Sequence, residues 1–173
     1  MINAKKLWPA VDVTKTGPAL NRHRSKQDYQ TPAGFMRAFE ECFGPIGFDL
    51  AAHAQNTQHE KFFGVEEDSL RQNWERTQSL CVGWLWLNPP FNNIKPWAAK
   101  CDALREEMGW DCSLAFLVPA SVGSNWWREY VHLRAQVHFL SPRLSFDGKN
   151  PFPKDIALCL YGMPPGYECW RWK

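Results

Sequence analysis

Cys81-Val82-Gly83-Trp84-Leu85-Trp86-Leu87-Asn88-Pro89-Pro90-Phe91 is the stretch on which the reading of this chain turns. Its first seven residues form a nearly continuous apolar run of strand length. Such a run suits a β-strand covered on both faces, as in a parallel sheet flanked by helices. The run stops at two prolines. Proline has no N–H to give to the ladder, so the strand ends there, and Asn88 is pushed toward an extended backbone by the proline that follows it. The product is a stiff corner at the carboxyl end of an inner strand, the place where open α/β sheets bind ligands. It presents an amide side chain, rigid carbonyls and an aromatic ring. A proline turn that only terminates a strand is the plainer reading of the same residues.

Working outward, a helix is expected from about Pro96 to Met108, and a second buried strand from Ser113 to Val118 stops at Pro119. A helix over about Asn125 to Arg134 precedes a strand from Gln136 to Leu140. A loop rich in Pro, Arg and Gly then leads to a final strand, Ile156 to Tyr161. Upstream, Thr31 can cap a helix whose first turn suits Pro32 and whose apolar face is Phe35, Met36, Phe39 and Phe43. Gly44 and Pro45 stop it. A short strand from Ile46 to Ala51 runs into a polar loop, Glu60 to Gly64 reads as another short strand, and Asp68 to Trp74 reads as a loop with a helical turn. Strands alternating with helices predict an α/β fold, a compact single domain over 28–173 with a mainly parallel sheet. The last two strands have no helix between them and are expected to close the sheet with an antiparallel edge strand.

The 173 residues carry a formal net charge of +2, which permits nucleic-acid binding without demanding it. Residues 1–27 form a basic arm, with Lys5, Lys6, Lys15, Arg22, Arg24 and Lys26 against Asp12. It is either a solvated tail or a phosphate-binding segment. Ten Trp and 14% aromatic content supply core volume and, equally, flat faces on which bases stack. No two of the six cysteines stand at CxxC spacing, which argues against a zinc site. Cys42, Cys81 and Cys159 sit in apolar runs and read as small buried hydrophobes, reduced in a cytoplasmic protein. The first residues read as neither a signal peptide nor a membrane span, and no membrane or metal partner is expected.

The chemistry of the corner follows from its residue types. The exocyclic N6 lone pair of adenine is conjugated with the ring and is a poor nucleophile. Acceptors around its amino hydrogens favour a pyramidal nitrogen and stabilise positive charge developing there, and the Asn88 side-chain oxygen and the Pro89 carbonyl offer two. Phe91 can stack on a base and hold it in line.

Asn88-Pro89-Pro90-Phe91 matches the (Asp/Asn/Ser)-Pro-Pro-(Tyr/Phe/Trp) motif of amino methyltransferases, and from about Asp28 to Tyr161 the chain resembles the phage-type DNA N-6-adenine methyltransferases. The matching pieces stand in that family's order. They are Tyr29-Gln30-Thr31-Pro32, then Phe48-Asp49-Leu50-Ala51-Ala52 with Asn56, and Phe62-Phe63 with Glu67-Asp68-Ser69-Leu70 and Trp74. After the corner come Leu117-Val118-Pro119-Ala120 with Trp126-Trp127, Arg143-Leu144-Ser145-Phe146, and Pro151-Phe152-Pro153. The resemblance implies a Rossmann-like class I methyltransferase fold and an S-adenosylmethionine-dependent enzyme that methylates N6 of adenine in DNA, working as a monomer or weak dimer in the host cytoplasm. Another planar amine or amide, in RNA or protein, is the alternative substrate, and a non-catalytic nucleic-acid-binding relative is the other alternative.

By residue, the resemblance implies catalytic roles for Asn88, Pro89, Pro90 and Phe91. It implies cofactor contacts from Thr31, Pro32, Asp49, Leu50, Ala51, Asp68, Ser69, Leu70 and Asn88, with Asp68 accepting from the cofactor's adenine amino group. Phe91, Lys95, Arg143, Phe146 and Lys149 are expected to meet DNA, the target adenine being flipped from the duplex. Plainer readings stand beside these: Asp68 as a helix cap, Asp49 as a strand-end turn residue, and Phe146, Trp126 and Trp127 as core. The glycine-rich loop of larger methyltransferases is replaced here by Ala51-Ala52-His53-Ala54, so whatever shapes that loop is not glycine freedom.

Overall fold

Pro32 heads the first helix because its φ is already helical and its missing N–H is one the helix would not use. The computed structural model describes residues 30–173, and the basic arm lies outside them. Helix α1, Ala33–Phe43, buries Phe35, Met36 and Phe39, and ends where Gly44 turns to φ +100° and its N–H donates to Glu40 O. Pro32 takes the cap position expected of Thr31. The Thr31 hydroxyl is engaged elsewhere, accepting from Asn88.

Strand β1 is Ile46–Asp49, and helix α2, Trp74–Ser79, follows the loop and helical turn expected over Asp68 to Trp74. Asn73 caps α2, its Oδ1 accepting from Arg76 N at 2.8 Å. Strand β2, Trp84–Leu87, starts later than the apolar run suggested. Gly83 sits at φ +102°, where a Cβ would lie 2.3 Å from Pro45 O, so Cys81 and Val82 belong to the turn before the strand and Val82 is exposed. Helix α3 is Lys95–Met108, strand β3 is Leu114–Pro119, and helix α4, Asn125–Tyr130, ends a turn sooner than expected. Strands β4 (Gln136–Ser141), β5 (Ile156–Tyr161) and β6 (Gly166–Arg171) complete one six-stranded sheet in the order β1-β2-β3-β5-β4-β6.

The pairing is parallel for β1/β2, β2/β3 and β4/β6, and antiparallel for β3/β5 and β4/β5. Five strands therefore run one way, and β5 alone is reversed. The reversed strand was expected at an edge, but it lies inside the sheet. Its partner β4 is covered in turn by β6, a strand the sequence did not announce because little of it is buried. Gly162 makes the exit from β5 possible: at φ +90° its Cα lies so close to Cys112 that a Cβ would overlap Cys112 O.

Alternation along the inner strands builds a three-layer domain. Leu85, Leu87, Leu114, Phe116 and Val118 face Ala98, Cys101, Leu104, Trp127 and Val131 of α3 and α4. Trp86, Ala115, Leu117, Leu158 and Leu160 face Phe35, Met36 and Phe39 of α1. Each large apolar side chain fully buried this way contributes about 1.5–3 kcal/mol. Trp127 is core and Trp126 packs half-buried against it. Cys159 is buried as expected, with Cys101 and Cys112, and burial raises their thiols, that of Cys112 to about 12. Cys42 is exposed and Cys81 half-buried, since Cys42 projects from the outer face of α1. No helix among the described residues is long and apolar enough to cross a membrane.

Candidate cofactor and catalytic site

The strand that ends at Asp49 and the strand that ends at Leu87 lie side by side, with Asp49 opposite Trp86. A cavity of about 230 Å³ opens above their carboxyl ends. Of the residues expected at a cofactor site, it gathers Thr31, Asp49, Ala51, Asp68, Ser69 and Asn88, together with Pro90 of the corner. Pro32, Leu50 and Leu70 do not line it. Leu50 is wholly buried, its N–H donating to Trp86 O at 2.8 Å, which prolongs the β1/β2 ladder.

Asp49 shows how the alanine loop is shaped. Only 2% exposed, its Oδ1 accepts from Ala51 N at 3.2 Å and its Oδ2 from Gln58 N at 2.9 Å. One carboxylate thus fastens both ends of the segment 51–58. Burial pushes the Asp49 carboxyl up, and the two N–H donors oppose that shift. On its other side β1 meets the segment 61–63: Asp49 N donates to Lys61 O, Phe63 N to Asp49 O and Ala52 N to Phe63 O. The expected short strand over Glu60 to Gly64 is present as this single parallel bridge.

Asp68 faces the cavity from a left-handed backbone, φ +46° and ψ 80°. It occupies the cap position of a 3-10 turn, Ser69–Arg71, without a side-chain capping bond, so capping is not what its carboxylate does. The turn is tied down around it. Arg71 N donates to Asp68 O at 2.8 Å and Trp74 Nε1 to the buried Ser69 O at 3.0 Å. Gln72 Nε2 also donates to Glu67 O.

At the corner, Asn88 Nδ2 donates to Thr31 Oγ1 at 3.1 Å, and Thr31 is 3% exposed. This bond sets the amide's orientation and turns its oxygen the opposite way. Pro89 is buried and Pro90 exposed on the cavity rim. Among the described residues, Phe91 turns from the cavity toward two rings of the β4–β5 loop: its centroid is 6.3 Å from Phe146 and 5.9 Å from Phe152, and the latter two stand edge to face at 5.3 Å. Phe146 and Phe152 belong to the β4–β5 loop, residues 142–155. That loop is closed at its base by Arg143 Nε on Asp155 Oδ1 (2.8 Å) and Phe152 N on Leu144 O (2.7 Å). At its tip Asp147 Oδ1 accepts from the backbone N–H of Lys149 and of Asn150, each at 2.8 Å, which holds the Asp147 carboxyl well below the usual range. Lys149 is exposed there, and Lys95 is exposed beside Glu129 at 3.6 Å.

Sequence reasoning missed part of the wall. Phe63, Val65, Trp86 and Trp97 give the cavity its apolar faces, and His53, Asn56 and Gln58 part of its polar rim. Trp97 had a signal in hindsight, standing just inside the helix that follows the corner and stacked on Trp74 at 6.4 Å. A cavity with apolar faces, an exposed carboxylate and an amide corner suits a cationic group joined to a flat heterocycle. Among the described residues no cluster of His, Cys, Asp and Glu is placed to hold a metal ion.

A family model described as DNA N-6-adenine-methyltransferase (Dam) matches residues 20–156. The chain is also similar to a protein named DNA N-6-adenine-methyltransferase from Escherichia phage T1. The two are 25% identical over 119 residues, which is 69% of this chain and 47% of the phage protein. The chain thus spans about half the length of that curated relative.

Proposed function

The chain belongs to the DNA N-6-adenine-methyltransferase family, and on that premise we propose that it moves a methyl group from S-adenosylmethionine to the exocyclic N6 of adenine in DNA, on a Rossmann-like class I methyltransferase fold formed by 28–173. The observation that carries this reading is the Asn88 corner, locked by Thr31 on the rim of a cavity whose far wall holds Asp68. When bound, the cofactor supplies an electrophilic methyl on a sulfonium centre.

The protein's own part is positioning and electrostatics. Asp68 accepts from the amino group of the cofactor's adenine, and Phe63, Val65 and Trp97 supply apolar faces for its ring. The Asn88 side-chain oxygen and the Pro89 carbonyl accept from the target amino group. Those bonds strengthen as the N6 lone pair forms the new carbon–nitrogen bond, because positive charge builds on nitrogen; they therefore act mainly in the transition state. The bound cofactor's sulfonium would be the leaving group that retains the bonding pair, and N6 would then release one proton to solvent. Phe91, backed by Phe146 and Phe152, forms a face of the pocket for a flipped adenine. Lys95, Lys149 and Arg143 meet phosphate oxygens, Arg143 exchanging Asp155 for phosphate. The site of action is the host cytoplasm, where the DNA is.

The test is to incubate the protein with DNA and methyl-labelled cofactor and identify the modified nucleoside. N6-methyladenine is expected. Label found only in RNA or protein would replace the DNA reading with the other planar-amine reading, and absence of label with intact cofactor binding would leave a non-catalytic relative.

A further inference from the structure

Lys100 lies on α3, outside the cavity wall, and is half-buried. Nζ donates to Leu70 O at 2.7 Å and to Gln72 O at 2.6 Å, and sits 4.9 Å over the ring of Trp74. The first carbonyl lies within the 3-10 turn that Asp68 heads, and the second closes it. A non-glycine residue in the left-handed region costs on the order of 1–3 kcal/mol and persists only where its surroundings over-determine it. Here the surroundings are bonds within the turn itself, Arg71 N to Asp68 O and Gln72 N to Ser69 O among them, and two side chains from beyond it. Trp74 holds Ser69 O and Lys100 holds the next carbonyls. The helix that carries Lys100 begins a few residues after Asn88-Pro89-Pro90-Phe91 and places Trp97, one turn before Lys100, in the cavity wall.

We infer that Lys100 is a positioning residue that clamps the Asp68 turn against α3 and so keeps the Asp68 carboxylate aimed into the cofactor cavity, in register with the catalytic corner. The inference rests on the proposed cofactor reading. It assigns to a lysine that touches neither cofactor nor DNA a share of cofactor affinity. Charge supports the geometry: desolvation pulls the Lys100 pKa below the ordinary lysine value, and the negative charge of Asp68 is foremost among the groups that oppose this, with Glu107 on the same helix adding to it. Two carbonyls and the face of Trp74 also make a socket for a cation with several donors.

The experiment is calorimetric titration of S-adenosylhomocysteine into the full chain and into four variants: Lys100→Met, Lys100→Arg, Asp68→Ala, and Lys100→Met with Asp68→Ala. Lys100→Met keeps an unbranched stem over Trp74 and removes the donors. Its Kd is expected to rise about tenfold, and that of Asp68→Ala about tenfold or more. The double variant is expected within about twofold of Asp68→Ala alone, because the two residues act as one unit. Lys100→Arg, which still donates to carbonyls, is expected within about threefold of the unaltered chain. The single-turnover rate at saturating cofactor is expected to stay within about twofold for Lys100→Met, a split between binding and rate that general loosening of the fold does not give. If Lys100→Met does not fold, Lys100→Gln carries the same expectations. A Kd for the folded single variant equal to that of the unaltered chain, or full additivity with Asp68→Ala, overturns the inference alone. Failure of the unaltered chain to bind S-adenosylhomocysteine overturns it together with the cofactor reading.

Discussion

The two sides of the Asn88 corner are held by different forces. On the cofactor side, irregular backbone is fastened by single polar groups: the Asp49 carboxylate spans Ala51 N and Gln58 N, and the Lys100 ammonium spans Leu70 O and Gln72 O. On the other side, the 142–155 loop meets the corner through the rings of Phe91, Phe146 and Phe152; its tip is tied by bonds internal to the loop, and its two ends by Trp172 Nε1 on Pro142 O and Ala120 N on Asp155 O. Buried hydrogen bonds to charged groups are directional and expensive to leave half-made. Aromatic contact tolerates sliding and tilting. The first side is thus built for one fixed shape and the second for adjustment, which is what the proposed function asks of a small cofactor on one side and a polymer on the other.

The sharpest way to break the comparison is at its junction. Asn88→Ala is expected to lower the single-turnover methylation rate by about a hundredfold or more, with cofactor and DNA affinities changing far less. Asn88→Asp, which keeps an acceptor, should retain more activity than alanine. Near-normal methylation by a folded Asn88→Ala variant would reduce the corner to a strand terminator.

Next in size is the polar side. Asp49→Ala strands two N–H groups around a buried position, and it should lower stability in urea by about 1–3 kcal/mol and weaken cofactor binding with it. If binding is lost without any stability change, Asp49 touches the cofactor rather than holding the loop. On the aromatic side, Phe152→Ala removes two ring pairs worth about 0.5–1.5 kcal/mol each. The expected outcome is a KM for DNA raised several-fold with the cofactor Kd unmoved. A matching loss of cofactor affinity would show that the two sides are one unit.

How much of this was legible depends on whether position followed from pattern. β2, β3 and β5 were readable because buried strands leave continuous apolar runs, and the corner was readable because two prolines after such a run have few other uses. β6 was not: Tyr167, Glu168 and Cys169 are exposed on an edge strand and carry no alternation. The reversed strand was misplaced for another reason: β5 inserts between β3 and β4 and would be interior even without β6, an order that no local pattern encodes. Thr31, Asp49, Ala51, Asp68, Ser69 and Asn88 were named as cofactor residues from their motifs and do meet around one cavity. The means by which they meet is a set of bonds spanning up to 57 residues, from Asn88 to Thr31, and no local pattern encodes such distances. Lys100, in the middle of an ordinary helix, gave no sign at all.

The smallest expected effect lies away from both sides and serves as their baseline. His138 on β4 is 2% exposed, packed between Phe43 and Trp170 with Glu168 Oε1 at 2.7 Å from Nδ1, and burial pulls its pKa below 6.5 in spite of that neighbour. The unfolded chain therefore takes up a proton near pH 6.5 that the folded chain refuses. Stability is full above pH 6.5 and declines as the pH falls toward the lower folded value, by at most about 1.4 kcal/mol per unit. Thermal unfolding at pH 7.5 and 5.5 should show this slope in the unaltered chain and a reduced slope in His138→Gln. An unchanged slope would assign the acid response to other groups.

The reversal of β5 inside the sheet has a consequence for how such a chain can diversify. Because β4 and β5 are antiparallel neighbours, both ends of the 142–155 segment emerge on the rim that carries Asn88, and Arg143 clasps Asp155 across them. The segment is in effect an interchangeable insert with a latch. Its closing entropy grows only with the logarithm of its length, about 0.6 kcal/mol for each doubling. Exchanging everything between Phe146 and Phe152 for a longer or shorter tip leaves the latch, the rings and the cofactor cavity in place, so new tips can be grafted and screened on an unchanged catalytic body.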